Sequence, residues 1–371
     1  MNVWGITGTN GKTTVTWVLA EFLRAAGRRC GYVTTVEVDD GDKRFSTGYT
    51  TPPLDVLKRI FADMQANGLT DCVMEVSSHA IHQRRFGDTV FAGGAFTNLT
   101  EDHLDYHKTM DEYFRVKLGF AGIVASSRRA PLSAGRRDLP PYAVCLDGGM
   151  GMEMYDAVGA FAVNALPVSE RNPRFDLSGL KLAGAYNRSN VLLAAALAEG
   201  AGVPHETIQA AIPGLRPRWG RLEEIDCACA ARVFVDYAHT DDALANVLSA
   251  VREFTPGKVW AVFGAGGDRD AQKRPLMGAA AAANADELVV TSDNPRSEDP
   301  LRIIEAILSG IDREVVVEAD RRKAIFRALA SAGKGDSVVV CGKGHETVQE
   351  IGGVKHPFDD RAVCREFGRM A

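Results

Sequence analysis

Cysteine is too sparse and too scattered to organise this chain. Seven cysteines occur in 371 residues, none of them in a CxxC pair, and Cys227 and Cys229 flank a single alanine. That spacing suits neither a common zinc site nor a disulfide framework, so a reducing cytosol is the expected compartment. Long apolar runs are also missing: no stretch approaches the roughly 20 residues that a membrane-spanning helix needs, and no basic segment followed by an apolar signal core opens the chain. A membrane is therefore not an expected partner. Excess positive charge is absent as well, with 43 Lys and Arg against 48 Asp and Glu and a formal net charge of −5. A surface built to neutralise many phosphates is disfavoured, and with it a nucleic-acid partner, although a local basic pocket is compatible with this balance.

What the chain does contain is ordinary for a globular protein, 46% hydrophobic and 25% charged residues, at a length that predicts two or three domains. Short β-branched runs alternate with longer helical patterns almost throughout, the mark of parallel sheets covered by helices. The fold class is α/β. Val3 to Thr7 reads as a strand, followed by a glycine-rich turn and a helix from Thr13 to Ala26 capped by Gly27. Asp71 to Val76 and Ala92 to Leu99 read as strands that end in polar clusters, where parallel sheets carry their ligands. Residues Ser126 to Pro141 lack periodicity and predict an irregular excursion. A helix from Asn187 to Ala201 precedes the proline-rich stretch Ile212 to Gly220, which marks the domain boundary: 1–215 and 216–371. Beyond it, Arg232 to Tyr237, Val259 to Phe263, Glu287 to Thr291, Glu314 to Val317 and Ser337 to Cys341 read as strands of a second, Rossmann-like sheet. The alanine run Ala279 to Ala283 reads as plain helix.

Gly8-Thr9-Asn10-Gly11-Lys12-Thr13-Thr14 stands between a strand and a helix, where backbone N–H groups and a helix N-terminus can surround a triphosphate. Lys12 would neutralise the β and γ phosphates and the Thr13 hydroxyl would bind Mg²⁺, a cation that prefers oxygen. Ile6 stands where the general P-loop formula has its first glycine, so this is a shortened variant. A plain glycine turn would leave the Lys-Thr pair without a purpose. Met74-Glu-Val-Ser-Ser-His79 follows, with Glu75 at the end of an apolar strand, costly there unless paired or metal-bound. In Thr97-Asn-Leu-Thr-Glu-Asp-His-Leu-Asp-Tyr-His107, His103 and His107 have an i, i+4 spacing without a convincing third soft ligand for zinc. His103 is the better candidate for a magnesium or phosphate role, and His107 serves equally well as a structural hydrogen-bonding residue.

With these motifs, with Thr50-Thr-Pro52, Gly184-Ala-Tyr-Asn-Arg-Ser-Asn190, Val235-Asp-Tyr-Ala-His-Thr240, Phe263-Gly-Ala-Gly-Gly-Asp-Arg-Asp270, Thr291-Ser-Asp-Asn-Pro-Arg296 and Gly342-Lys-Gly-His-Glu346, the chain resembles the Mur ligases of peptidoglycan synthesis over nearly its whole length. The match is to the tripeptide-synthetase branch. The resemblance implies a P-loop central ATPase domain with a mostly parallel sheet, a C-terminal Rossmann-like domain, and an enzyme that uses ATP and Mg²⁺ to turn a carboxylate into an acyl phosphate for attack by an amine. It assigns Thr13 and Glu75 to one metal ion and His103 with Lys117 to a second. An unmodified ammonium cannot ligate a cation, so Lys117 is expected as a carbamate. The P-loop residues, Asn98, Asn187 and Asn190, with Arg221, Asp236 and His239, are implied to bind ATP. Tyr186 replaces a more usual phenylalanine.

The same resemblance carries Thr50, Thr51, Ser78, Arg269, Asp293, Asn294, Arg296, Gly342 and Glu346 to the substrates. A guanidinium suits the distal carboxylate of meso-diaminopimelate, which lysine lacks, so Arg296 favours diaminopimelate as the incoming amine; Glu346 suits its distal ammonium. The acceptor is expected to be a muramoyl dipeptide. Met1 stands only a few residues before the P-loop, whereas full-length members carry a further N-terminal domain that grips UDP; without it the acceptor is expected to be UDP-linked and weakly held, nucleotide-free, or another peptide acid. Glu101 stands where arginine is common. A monomer is expected. The alternatives are a folylpolyglutamate-type ligase, against which DNPR and GKGHE speak, and a non-catalytic homologue, against which the retained lysines, Glu75 and His103 speak.

Overall fold

The computed structural model describes residues 1–127 and 139–368. They divide into two compact units, Met1–Lys181 with Tyr186–Leu215, and Leu182–Ala185 with Arg216 onward. In chain order the first unit contains β1 (Asn2–Thr7), α1 (Lys12–Ala25), β2 (Cys30–Val33), β3 (Val38–Asp39), β4 (Arg44–Phe45), α2 (Leu54–Ala66), β5 (Asp71–Glu75), α3 (Ser78–His82), β6 (Phe91–Phe96), α4 (Leu104–His107), α5 (Met110–Ser126), β7 (Pro141–Cys145), α6 (Gly151–Val158), β8 (Asn164–Val168), α7 (Ala185–Gly200) and α8 (His205–Ala211). Its eight strands run in the order β4-β3-β2-β5-β1-β6-β7-β8.

The central strand β1 pairs in parallel with β5 on one side and β6 on the other, with Ile6 opposite Glu75 and Thr7 opposite Phe96. One register thus brings the P-loop, the Glu75 carboxylate and the polar run from Thr97 to the same edge of the sheet. It does so at a switch point, where the chain leaves β1 toward β2 on one side and β5 toward β6 on the other. Val3 to Thr7 of β1 and all of β5 are buried, which is why their centres read as apolar runs instead of alternating ones. Phe91, Phe96, Phe120, Tyr113 and Met74 are part of this core.

The second unit contains β9 (Glu223–Glu224), β10 (Arg232–Asp236), α9 (Asp241–Arg252), β11 (Val259–Phe263), α10 (Lys273–Asn284), β12 (Glu287–Val290), α11 (Pro300–Leu308), β13 (Val316–Val317), α12 (Arg321–Ser331), β14 (Ser337–Cys341), the hairpin β15 (Val348–Ile351) and β16 (Val354–Pro357), and α13 (Asp360–Glu366). Its main sheet is ordered β13-β12-β11-β14-β10-β9. The β10, β11, β12, β13 and β14 pairings are all parallel, so the loops that follow them share one edge.

Three expectations need adjusting. The third strand ends at Phe96, not Leu99, because Thr97 and Asn98 turn to hydrogen-bond the P-loop. The strand expected from Glu314 forms only at Val316–Val317, where it meets the edge of β12. The irregular stretch Ser126 to Pro141 lies, for residues 128–138, outside the described residues; its ends close α5 and open β7. Among the described residues no helix is long and apolar enough to cross a membrane.

Candidate active site

In the first unit the P-loop ends at Gly11, whose left-handed backbone (φ 84°) starts α1. A Cβ at this position would stand 2.4 Å from the Asn190 side-chain oxygen, so glycine here both makes the turn and admits buried Asn190 of α7 against the loop. Asn187 is buried on the same helix. Asn98 grips Asn10 from both sides: its Oδ1 accepts from the Asn10 N–H (2.9 Å) and its Nδ2 donates to the Asn10 carbonyl (3.3 Å). Thr9 is tied to Thr100 and to the Tyr113 hydroxyl. The loop is therefore held from outside by side chains of the two following segments.

Two ammonium groups converge on one carbonyl. Lys12 Nζ donates to the Gly8 and Thr9 oxygens (3.0 and 2.7 Å), and Lys117 Nζ, from the middle of α5, also donates to Gly8 (2.7 Å). Lys117 is 1% exposed and lies over the Tyr113 ring. Burial, and next the Lys12 charge, push its pKa well below the usual lysine value, against a weaker pull from Asp102. The arrangement favours a neutral amine at Lys117.

The Glu75 carboxylate is 1% exposed. Its Oε1 accepts from the Thr13 hydroxyl (2.8 Å) and the Thr35 N–H (2.9 Å), and its Oε2 from the Thr35 hydroxyl (3.1 Å). Thr13 and Glu75 thus form an all-oxygen donor pair at the helix N-terminus, which fits a hard divalent cation. Among the described residues no group of three or more His, Cys, Asp or Glu side chains could hold a metal ion, so any cation here would complete its shell with phosphate oxygen and water.

His103 adopts a left-handed backbone (φ 56°) and its ring stands 5.0 Å from that of His79. Burial lowers its pKa to about 4, with Asp102 opposed and the Lys12 charge in support. His107 proves structural: it is buried, its Nε2 is 2.8 Å from the Ser78 hydroxyl, and it stacks on Tyr113. Ser78 is consumed by that contact. Thr51 is likewise internal, its hydroxyl donating to the Glu75 carbonyl (2.9 Å) and accepting from the Ser77 N–H (3.0 Å). Thr50 is half-buried and bonded to Thr35. Thr35 and Tyr113, which no sequence motif had flagged, are the pins of this site.

In the second unit the loops after β12 and β14 meet. Buried Lys343 Nζ donates to Asn294 Oδ1 (2.9 Å) and Glu346 Oε2 (3.0 Å), and Asn294 Nδ2 donates to the same Glu346 oxygen (2.8 Å). Arg296, with its backbone at φ 50°, donates to the Gly267 carbonyl (2.6 Å) and faces Glu350 at 3.7 Å. A Cβ on Gly342 would meet Asp293 Oδ2 at 2.2 Å, so glycine lets the two loops touch. Beneath them Arg321, fully buried with Asp360, also donates to the Ser292 and Cys341 carbonyls, one from each loop. Arg269 is exposed and bonds only the Asp268 carbonyl among the contacts described; it is not drawn into the cluster.

Asp236 is occupied by backbone, accepting from the Leu222 and Ala238 N–H groups (2.6 and 2.7 Å). Burial raises its pKa, while Arg221 and those two bonds oppose the rise. Arg221 lies over the Tyr237 ring, which also neighbours His239 and His345. These three predicted nucleotide contacts therefore share one patch of the second unit, with Asp236 as its support.

Residues 6–129 match the family description "Mur ligase middle domain" and residues 220–344 match "Mur ligase, glutamate ligase domain". Two relatives named UDP-N-acetylmuramoyl-L-alanyl-D-glutamate–2,6-diaminopimelate ligase are similar over nearly the whole chain. The one from Aquifex aeolicus is 40% identical, covering 99% of this chain and 77% of its own length; the one from Bacillus licheniformis is 41% identical, covering 97% and 77%. A solved structure of a ligase of that name aligns over 100% of this chain and 78% of its own, at 30% identity and a TM-score of 0.63. A Mycobacterium tuberculosis folylpolyglutamate synthase complexed with ADP, 20% identical over 92% of this chain and 87% of its own, shares the fold with a TM-score of 0.65.

Proposed function

The chain belongs to the Mur ligase family, and from that premise we propose that it is a cytoplasmic, ADP-forming ligase that joins meso-diaminopimelate to the glutamyl carboxylate of a muramoyl dipeptide, UDP-linked or nucleotide-free. The observation that carries this reading is the meeting of Lys12, Lys117 and the Thr13–Glu75 pair at one sheet edge. Phosphoryl transfer from ATP needs that collection: positive charge for the phosphates and hard oxygen for their cation.

A carboxylate is a poor electrophile. Its oxygen attacks the γ-phosphorus of ATP, the bond to the bridging β,γ oxygen breaks, and ADP leaves an acyl phosphate. The free amine of diaminopimelate then adds to the acyl carbon; phosphate departs with the bonding pair and the nitrogen loses a proton to give the amide. Lys12 exchanges its loop carbonyls for the β and γ phosphate oxygens and follows the charge as it moves to ADP. Magnesium, held by Thr13 and Glu75 and at a second position by His103 and Lys117, would supply charge neutralisation between the phosphates and the incoming carboxylate. Lys117 serves there only as a carbamate, formed when its neutral amine adds to CO₂ and releases a proton. Its lowered pKa supplies the neutral amine. Asn187 and Asn190 support the nucleotide from α7.

For the amine substrate, Arg296 binds the distal carboxylate and Glu346 the distal ammonium, with Asp293 and Asn294 lining the site. The DNPR and GKGHE loops, hydrogen-bonded through Asn294, Lys343 and Glu346, support this choice. Incubation with ATP, Mg²⁺ and diaminopimelate, plus UDP-linked and UDP-free muramoyl dipeptides in parallel, should yield a product of the summed mass less water. Diaminopimelate should be used well above L-lysine and L-glutamate. A preference for lysine overturns the substrate assignment, and a preference for glutamate moves the enzyme to the folylpolyglutamate type. Lys117→Ala should lose at least about a hundredfold in kcat; full activity in that variant rejects the carbamate.

A further inference from the structure

Lys343 is a fully buried cation that the mechanism above does not use. It sits between two glycines with left-handed backbones, Gly342 at φ 115° and Gly344 at φ 51°, and its side chain is 0% exposed. Its ammonium is committed to three neighbours: Asn294 Oδ1 at 2.9 Å, Glu346 Oε2 at 3.0 Å and Asp293 Oδ1 at 4.0 Å. Asn294 is committed in turn. Its Oδ1 takes the lysine and the Glu350 N–H (3.0 Å), which fixes the amide's orientation, and its Nδ2 is aimed at Glu346 Oε2 (2.8 Å).

Both internal donors therefore fall on one oxygen of Glu346. The other, Oε1, receives no side-chain or backbone donor among the described residues, and the side chain keeps 27% of its surface open. We infer that Lys343 is a positioning residue for amino-acid selection: with Asn294 it ties Glu346 by Oε2 so that Oε1 alone is presented to a second ammonium on the incoming amine. The inference rests on the proposed diaminopimelate site and deepens it. A carboxylate on a freely rotating stem would have to be ordered at the moment of binding, whereas one pinned through two charge-assisted or amide bonds is already in place.

The test compares two amines, meso-diaminopimelate and 2-aminopimelate, which keeps the distal carboxylate and lacks the distal ammonium. The wild-type enzyme should lose about tenfold or more in kcat/KM on 2-aminopimelate. Lys343→Met should lose about tenfold or more on diaminopimelate, chiefly in KM for that amine, with KM for ATP and the rate on 2-aminopimelate within about twofold of wild type. Glu346→Gln should likewise lose about tenfold or more on diaminopimelate, and on that amine the double variant should be no worse than the poorer single one, because both changes remove one interaction. Lys343→Gln, which retains a donor for Asn294 without the charge, should fall between and guards against loss of folding, read from thermal midpoints. Equal losses on both amines in Lys343→Met, or additive losses in the double variant, overturn the positioning role and leave the site standing. Equal use of both amines by the wild type removes the diaminopimelate site itself and this inference with it.

Discussion

Arg321 and Asp360 illustrate how a charged residue can be essential without touching substrate. Both side chains are fully buried, and the guanidinium also serves the carbonyls of Ser292 and Cys341. Burial alone would depress an arginine's pKa, but Asp360 reverses the balance and holds Arg321 above its ordinary value. Removing one partner leaves an uncompensated charge in the interior, a cost of about 3–5 kcal/mol. Arg321→Met should therefore lower the denaturant midpoint of the second unit sharply, and Arg321→Met with Asp360→Leu should recover much of the loss. The same distinction separates residues that were read alike from their motifs. Asn98, Thr51, Ser78 and Asp236 bond other parts of the protein, as do Lys12 and both oxygens of Glu75, while Glu346 has donors on Oε2 alone among the described residues. A motif records the residue type; which atoms are already spent depends on neighbours that are tens of residues away.

At the scale of elements, the motifs turn out to be strand ends followed by caps. Thr240, the last residue of the VDYAHT run, is the N-cap of α9: its side chain accepts from the Ala243 N–H, and Asp241 and Asp242 occupy the first turn. Thr240→Ala should cost about 1 kcal/mol, measurable as a shift in chemical unfolding. At the other edge of the first sheet, Asp71 opens β5 with Arg28, Trp4, Asn2 and Thr70 donating to its carboxylate. Burial would raise its pKa, but the Arg28, Trp4 and Thr70 bonds and the Arg28 charge outweigh it and lower the value below the ordinary 3.8. The unfolded chain then binds the proton more readily, so this stabilisation is complete above about pH 4 and is lost as pH falls through the lower, folded value. Asp71→Asn should be less stable at pH 7 and show a flatter acid limb in urea titrations between pH 7 and pH 2. A steepened acid limb would contradict the sign.

The molecule as a whole is acidic, yet basic side chains stand where the loops of each unit converge: Lys12 in the first, Lys343 and Arg296, each facing carboxylates, in the second. Net charge and site charge are thus independent quantities. Each unit has its own apolar core, so calorimetry should resolve two heat-absorption steps, and Thr240→Ala should move only the one that belongs to the second unit. A single step moved as a whole by that variant would mean the cores unfold together.

Alternating strand and helix periods, the P-loop, and the polar clusters at strand ends were legible in the chain because they are local: each depends on residues within a turn or two of one another. The α/β class and the ligase family followed from them and from the longer set of motifs. Pairings across the fold were not legible. Nothing near Thr35 announces that it will hold Glu75, and nothing near Arg321 announces Asp360 or the two loops it supports. Lys343 stood inside a recognised motif, but its commitment to Asn294 appears only when the β12 and β14 loops meet. Those contacts join residues 20 to 49 positions apart, and only the packing of the strands brings such atoms within hydrogen-bonding distance.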